Sequence, residues 1–137
     1  MATFKFELVS PERILFSGEV VSVIVPSVEG EMTILAGHAP LVAVLKPGIV
    51  MLQTDANNGK EFYVSGGIAE VNAESLTILA EQARFIEDVN LSVLDQEIVT
   101  AETRLAGSQD EAEQKRLAEQ LVQLREFRGV FEDRKAA

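Results

Sequence analysis

Cysteine and tryptophan are absent from this chain of 137 residues, and tyrosine and histidine each occur only once. Without cysteine, the sequence can form no disulfide frame, thiolate nucleophile or thiolate metal site. A single histidine leaves only carboxylates to complete any metal site. Because aromatic residues are few, aliphatic and Phe side chains must do most of the packing in a core.

Basic residues and long apolar runs are also scarce. Against 22 Asp and Glu there are 12 Lys and Arg, for a formal net charge of −10. Binding to nucleic acid or to an anionic membrane surface needs clustered Lys and Arg, so the charge argues against both functions. No apolar run approaches the roughly 20 residues that span a bilayer, so we expect membrane association only through a partner.

The N-terminal sequence MATFKFELV has neither the apolar segment of a signal peptide nor the Arg-rich character of a transit peptide. We therefore expect a bacterial protein rather than a mitochondrial precursor.

The chain up to about residue 88 has the pattern of short β-strands. Phe4–Leu8 alternates apolar and polar residues, and a β-branched run further on is expected to end at Pro26. Asn57–Lys60 predicts a type I′ hairpin turn, and Gly66–Gly67 predicts a bulge or tight turn. Short strands at intervals of roughly 8–12 residues, with no helical segment between them, favour a β-sandwich or barrel.

After Asp88 the apolar residues are spaced three or four apart, which predicts two amphipathic helices. Their apolar stripes are Leu91, Leu94, Ile98, Ala101 and Leu105, then Leu117, Leu121, Leu124, Phe127 and Phe131. Asn90 is expected to cap the first helix, Gly107 to stop it, and Ser108–Glu111 to start the second as a capping box. The short connection predicts an antiparallel hairpin, which we expect to hinge at residues 87–90.

The single histidine, His38, is the first residue to consider for catalysis. A hydrolase would need a nucleophile and an orienting carboxylate beside it. Ser27 and Ser65 are nucleophile types, but neither lies in a G-x-S-x-G nucleophile elbow, and phosphate-loop patterns are absent. We therefore interpret His38 as a surface-loop residue.

Two groups of charged residues are candidates for partner contacts. Glu29 and Glu31 are expected to be exposed turn carboxylates, either solvated or paired with basic groups of a partner. Basic residues interspersed with glutamates occur on the predicted second helix, as either a solvated face or a stripe that binds acidic groups. They are Lys115, Arg116, Arg125, Arg128, Arg134 and Lys135.

Three segments carry a resemblance to a known family. They are LVSPERILFSGEV at Leu8–Val20, EGEMTILAGHAPLVAVLKPGIV at Glu29–Val50, and FYVSGGIAEV at Phe62–Val71. Through them the chain closely resembles the epsilon subunit of F-type rotary ATP synthases. The helical half is similar to that family in length and position, but only weakly in sequence.

This resemblance implies a non-catalytic subunit of the central stalk, without a metal or cofactor of its own. The implied fold is a ten-stranded β-sandwich over residues 1–88, followed by an antiparallel two-helix hairpin over residues 89–137. The sandwich would bind the gamma subunit and the polar loops of the membrane c-ring. The hairpin would contact the catalytic alpha and beta subunits and inhibit ATP hydrolysis. The implied location is peripheral, on the cytoplasmic face of the bacterial inner membrane.

The resemblance also implies which residues make these contacts. The loop around Glu29, Glu31 and His38 would face the c-ring. An acidic segment of the beta subunit would suit the basic residues of the second helix, Lys115, Arg116, Arg125 and Arg128.

Some members of the family bind ATP through an I/L-D-x-x-R-A pattern, from which Leu91–Gln96 departs. Ser92 replaces the acid, Asp95 the arginine and Gln96 the alanine. Because an aspartate repels a triphosphate, the sequence predicts no tight ATP binding.

Two other classes of protein remain as alternatives. The runner-up is a free-standing β-sandwich that binds a small ligand or peptide in a concave apolar pocket. A small hydrolase dependent on His38 comes last.

Overall fold

A computed structural model of the chain describes the backbone of residues 2–136 and the side chains of residues 2–133. The chain divides into two compact units between Glu87 and Asp88. The first unit has ten strands within its described residues: β1 (Phe4–Val9), β2 (Ile14–Val20), β3 (Ser22–Ser27), β4 (Gly30–Leu35), β5 (Leu41–Leu45), β6 (Gly48–Gln53), β7 (Gly59–Val64), β8 (Gly67–Val71), β9 (Ser75–Ala80) and β10 (Ala83–Phe85). A short 3-10 helix over Ile86–Asp88 follows.

The strands pair in the order β10-β7-β6-β3-β5-β8-β9-β1-β2, and β4 pairs with β3 outside this path. Neighbouring strands run antiparallel, except that β1 and β9 are parallel. The sheet folds over itself and brings distant strands together. The Phe16 ring of β2 packs against the Phe62 ring of β7, with centroids 6.4 Å apart. The prediction of a ten-stranded β-sandwich is therefore confirmed.

Alternating side chains of these strands fill the space between the two layers. Phe6, Leu8, Phe62 and Ile78 are fully buried. Two further pairs of aromatic rings are in contact. The ring centroids of Phe6 and Phe16 lie 5.7 Å apart, and those of Phe62 and Phe85 lie 5.0 Å apart. Burying large apolar side chains contributes roughly 1.5–3 kcal/mol each, so this core supplies most of the unit's stability.

The prediction of a type I′ turn at Asn57–Lys60 is wrong. A type I′ turn needs positive φ at both central residues, and among the described residues only four glycines have positive φ, none of them Gly59. Instead, a longer loop joins β6 to β7, and the Asp55 carboxylate accepts hydrogen bonds from the backbone N–H groups of Asn57 and Asn58. The Asn58 side-chain amide donates to it as well, and these bonds lower the pKa of Asp55.

Pro26 does not end its strand, contrary to the sequence prediction. Strand β3 continues to Ser27, with Pro26 opposite Glu31 of β4. The Pro26 carbonyl still accepts a hydrogen bond from the Lys46 N–H at 2.9 Å. Proline has no backbone N–H to donate, but its carbonyl oxygen can still accept a hydrogen bond. It therefore fits a strand position where the other hydrogen bonds of the strand form without that N–H.

The prediction of a tight connection at Gly66–Gly67 is confirmed. Both residues have positive φ, +134° and +143°. A Cβ atom added to Gly67 would lie 2.2 Å from the Leu79 carbonyl oxygen. Only glycine lets β8 approach β9 this closely at this φ.

The second unit is a hairpin of α1 (Leu91–Gly107) and α2 (Glu111–Ala136). All five predicted apolar positions of α2 are buried, as are Leu94 and Ala101 of α1. The Asn90 cap is confirmed, since its side chain accepts hydrogen bonds from the Ser92 and Val93 N–H groups at 2.9 and 3.3 Å. The cap satisfies two backbone donors that the first helical turn leaves open.

Two predictions about the connection between the helices are wrong. Gly107 was expected to stop α1 from outside the helix, but it is the last helical residue and lacks positive φ. The chain leaves the helix at Ser108, which is extended, with φ −80° and ψ 139°. Ser108 does not cap α2. Asp110 does, since its carboxylate accepts from the Ala112 N–H at 3.1 Å and its carbonyl from the Gln114 N–H at 2.9 Å.

Candidate docking surfaces

The outer face of the β-sandwich carries a row of apolar side chains across five neighbouring strands. Strand register places Val44 of β5 beside Ile68 of β8, Ile68 beside Leu79 of β9, Leu79 beside Val9 of β1, and Val9 beside Ile14 of β2. We call these five residues the outer apolar row. Adjacent strands lie about 4.8 Å apart, so the row extends over roughly 19 Å.

The outer apolar row is open to solvent. Val44, Ile68, Leu79 and Ile14 are exposed at 55%, 43%, 49% and 60%, and Val9 is half-buried. Single exposed apolar residues are ordinary, but a contiguous row of them is typical of a protein–protein interface.

The neighbouring row on the same face is partly acidic. Register aligns Glu70 of β8, Thr77 of β9 and Glu7 of β1, with Val42 of β5 at one end. Val42 is 70% exposed. The face therefore offers an apolar strip bordered by carboxylates, which suits a partner surface that is apolar with basic residues beside it.

Sequence analysis did not identify this row. A signal was present: β5, β8 and β9 have apolar residues at adjacent positions, as in Val42–Val44 and Ile68–Ala69. An antiparallel strand with one solvated face should alternate, so consecutive apolar residues are typical of a strand that is covered on both faces.

The candidate c-ring residues do not all lie together. Glu29 lies in the tight turn between β3 and β4, where its N–H donates to the Ser27 hydroxyl at 3.1 Å. Glu31 was expected in a loop but lies on strand β4, opposite Pro26, with its side chain exposed. His38 follows the other end of β4, so it is separated from the glutamates by about 15–20 Å.

Among the described residues, His38 makes contacts with two nearby backbone carbonyl groups. Its Nδ1 lies 2.8 Å from the carbonyl oxygen of Ala39, and its backbone N–H donates a hydrogen bond to the carbonyl oxygen of Leu35 at 3.2 Å. Both contacts are local, so they hold the loop between β4 and β5 in shape.

Among the residues whose side chains the structure describes, two arginines of α2 form ion pairs with acids of α1. Arg125 of α2 donates to Glu102 of α1, with Nη2 and Oε2 2.9 Å apart. Arg128 pairs through Nε and Nη2 with the Asp95 carboxylate and through Nη1 with Glu132, one turn further along α2. The hydrogen bond from Arg128 lowers the pKa of Asp95, and the bonds to Asp95 and Glu132 raise the pKa of Arg128.

The structure separates the predicted basic residues into two groups. Arg125 and Arg128 face acids of α1, whereas Lys115 and Arg116 lie about 15 Å earlier along the axis of α2 and are exposed. The side chains of Arg134 and Lys135 lie outside the described residues.

Asp95 lies where the ATP-binding pattern of the resembled family has its arginine, and here it binds Arg128. The position thus carries an internal ion pair, and the absence of tight ATP binding stays a prediction.

Similarity to known proteins agrees with this arrangement of sandwich and hairpin. Residues 3–86 match the family described as "ATP synthase, Delta/Epsilon chain, beta-sandwich domain". An ATP synthase epsilon chain of Rhodopseudomonas palustris (strain BisA53) is 49% identical over 109 residues, 80% of each chain. One of Sinorhizobium medicae is 43% identical over 120 residues, 88% of each chain. The chain belongs to the ATP synthase epsilon chain family.

A solved structure extends the similarity to the hairpin. A chain in the cryo-EM structure of the Euglena gracilis mitochondrial ATP synthase matches with a TM-score of 0.73 and 25% identity. The match covers 97% of this chain and 81% of that one. Of the helices that the structure describes, none is long and apolar enough to cross a membrane.

Proposed function

We propose that this chain is a non-catalytic rotor subunit, which couples rotation of the membrane c-ring to the gamma subunit of the central stalk. ATP synthesis then takes place on the alpha and beta subunits, and the chain itself breaks no bond. Its place would be peripheral, on the cytoplasmic face of the bacterial inner membrane. The Euglena relative, which was solved with F1 and the c-ring, supports this assembly.

The observation that carries the proposal is the outer apolar row. We assign it to the gamma subunit, because gamma is the stalk component that must stay fixed to this chain through each rotation. A rotor contact needs surface fit and stiffness rather than a reactive group. The row lies on consecutive paired strands, whose cross-strand hydrogen bonds hold the side chains in place.

The test is stoichiometric co-purification. A tagged copy of the chain should bring down gamma and the rest of the ATP synthase in fixed proportion. If the chain purifies alone and binds a small ligand or peptide, the binding-module alternative is correct instead.

The c-ring contact is assigned to the turn between β3 and β4 and to the first residues of β4, where Glu29 and Glu31 are exposed. These carboxylates can form charge-assisted hydrogen bonds with basic groups of the ring's polar loops. His38, at the far end of β4, would be part of the same contact only if the ring covers the whole length of this edge strand.

A crosslinking experiment tests this assignment. Because the chain has no cysteine, Glu31→Cys gives a single thiol. Combined with one cysteine in the ring's polar loop, it is expected to form a disulfide in the assembled enzyme under mild oxidation, seen as a shifted band in non-reducing electrophoresis. Asp55→Cys, on the exposed β6–β7 loop, is the matched control and should not crosslink. Absence of a crosslink from every position between 29 and 38 would refute the contact.

The hairpin is assigned as an inhibitory arm that acts on the catalytic subunits through its basic residues. Deleting residues 89–137 is expected to raise ATP hydrolysis by the assembled complex several-fold, because the arm can no longer oppose rotation, while gamma stays bound. The measurement is the steady-state hydrolysis rate of purified enzyme with and without the arm. An unchanged rate would mean that the hairpin is not the brake.

A further inference from the structure

The loop between β6 and β7 contains the single Asn-Gly pair of the chain, Asn58–Gly59. Both residues are exposed, so water reaches the Asn58 side chain and the backbone that follows it. Asparagine is a thermolabile residue. Glycine has no side chain to shield its backbone nitrogen, and its conformational freedom lets that nitrogen approach the preceding side chain. The pair therefore combines the two conditions under which an asparagine loses its amide group.

This loss of the amide is called deamidation, and it needs only the chain and water. The backbone nitrogen of Gly59 gives up its proton and forms a bond to Cγ of Asn58. The bond from Cγ to Nδ2 breaks, and Nδ2 leaves with that proton as ammonia, so a succinimide ring remains. Water then adds to either ring carbonyl and opens the ring to aspartate or isoaspartate. Before the first step, the Asn58 side chain must turn so that Cγ faces the Gly59 nitrogen.

In the folded loop the Asn58 side chain is held by Asp55. Its Nδ2 donates to both oxygens of the Asp55 carboxylate, at 3.0 and 2.8 Å. The backbone N–H of Asn58 donates to the same carboxylate at 3.0 Å, so the acid lies on the side where the chain enters Asn58. The attacking nitrogen lies on the side where the chain leaves it. The two bonds therefore hold the side chain back from Gly59.

The backbone around the pair is also fixed. The carbonyl oxygen of Asn58 accepts a hydrogen bond from the Thr54 N–H at 3.0 Å, and Gly59 begins β7 opposite Gln53 of β6. With the backbone held in this way, the reaction still requires the Asn58 side chain to rotate. That rotation breaks both of its bonds to Asp55.

We propose that Asn58 is a deamidation site and that Asp55 is the positioning residue that slows its conversion in the folded chain. Hydrogen bonds to an ionised acceptor are stronger than those between neutral groups, so the carboxylate is an effective restraint. The chemistry needs no partner, and the inference therefore does not depend on the rotor assignment.

Conversion also removes its own restraint. In the product an oxygen replaces Nδ2, so a second carboxylate faces Asp55 in place of a donor. Two carboxylates at this separation disfavour each other's ionised form. Isoaspartate in addition adds a methylene group to the main chain where β7 begins. The end of the β6–β7 hairpin is therefore expected to open once Asn58 has reacted.

The test compares the purified parent chain with the variant Asp55→Ala, both kept folded at mildly alkaline pH. Peptide mapping by mass spectrometry gives the conversion at each asparagine over time. Asn58 should convert about tenfold faster in Asp55→Ala, the factor that one hydrogen bond to a charged group is worth. Equal rates at Asn58 in the two chains would overturn the proposal. So would an Asp55→Ala chain in which Asn72 or Asn90 converts faster than Asn58.

A matched control removes the same charge elsewhere. Glu74 is an exposed carboxylate in the turn before β9, away from the Asn-Gly pair. Glu74→Ala should change the rate at Asn58 less than twofold. A gain equal to that of Asp55→Ala would contradict the proposal, because net charge alone would then set the rate.

Two further measurements separate restraint by the folded loop from an effect of the local sequence. In concentrated urea the loop is lost, so the parent chain and Asp55→Ala should convert at the same rate. A tenfold difference that persists in urea would overturn the proposal. In the folded chain, Asp55→Asn keeps an oxygen acceptor but loses the charge, so its rate should lie between those of the parent and Asp55→Ala. A rate as high as that of Asp55→Ala would show that the hydrogen bonds to this position do not restrain Asn58.

Discussion

Replacing Gly67 by alanine is expected to lower the free energy of unfolding of the β-sandwich by about 3–5 kcal/mol, from a backbone strain of roughly 1–3 and a steric term of similar size. The new Cβ would meet the Leu79 carbonyl oxygen at 2.2 Å and the Ala80 Cα at 2.9 Å. Both are backbone atoms of β9, so they cannot move away without breaking the pairing of β8 with β9. Small domains have only about 5–15 kcal/mol of stability, so this loss is severe.

Gly37→Ala is the matched control. Gly37 also has positive φ, +80°, but a Cβ there would meet no atom within 4 Å. It should therefore lose only the strain, about 1–2 kcal/mol. Urea unfolding followed by fluorescence of Tyr63, the single tyrosine and a buried residue of β7, reports on the sandwich directly. Equal losses at the two glycines would show that the close approach of β8 to β9 is not what requires glycine.

The variant Ile68→Glu is expected to weaken binding to the gamma subunit at least 100-fold, about 2.7 kcal/mol, while the chain stays folded. Ile68 lies between Val44 and Leu79 in the outer apolar row. In a complex the new carboxylate would be buried among apolar groups without a partner, which costs several kcal/mol. In the free chain the position is 43% exposed, so the charge stays hydrated and the sandwich is unharmed.

Leu35→Glu is the matched control, because Leu35 is an apolar strand residue with 54% exposure that lies on β4, outside the outer apolar row. It should change the affinity for gamma less than threefold. Affinities measured by calorimetry with purified gamma would decide the matter. If Ile68→Glu binds like the parent chain, or if Leu35→Glu loses as much, gamma docks on another face.

Local sequence patterns were sufficient to predict the elements of both units. The alternation in Phe4–Leu8 and the three- and four-residue spacing in the last third each depend on residues that are close in the chain. The Asn90 cap was predictable for the same reason, since a cap involves only the next three residues. Where several local solutions compete, prediction failed: the carboxylate of Asp55 organised a longer turn than the one expected at Asn57–Lys60.

The candidate surfaces needed the tertiary structure. Val9 and Leu79 are neighbours only because β1 pairs in parallel with β9, and Asp95 meets Arg128 only because the helices fold back on each other. Such pairings are fixed by the burial of whole faces in a shared core, not by any short segment. The sequence by itself determined which segments are strands and helices and which chemistries are excluded. The packing of those segments decided which side chains remain on the outside, side by side, for a partner.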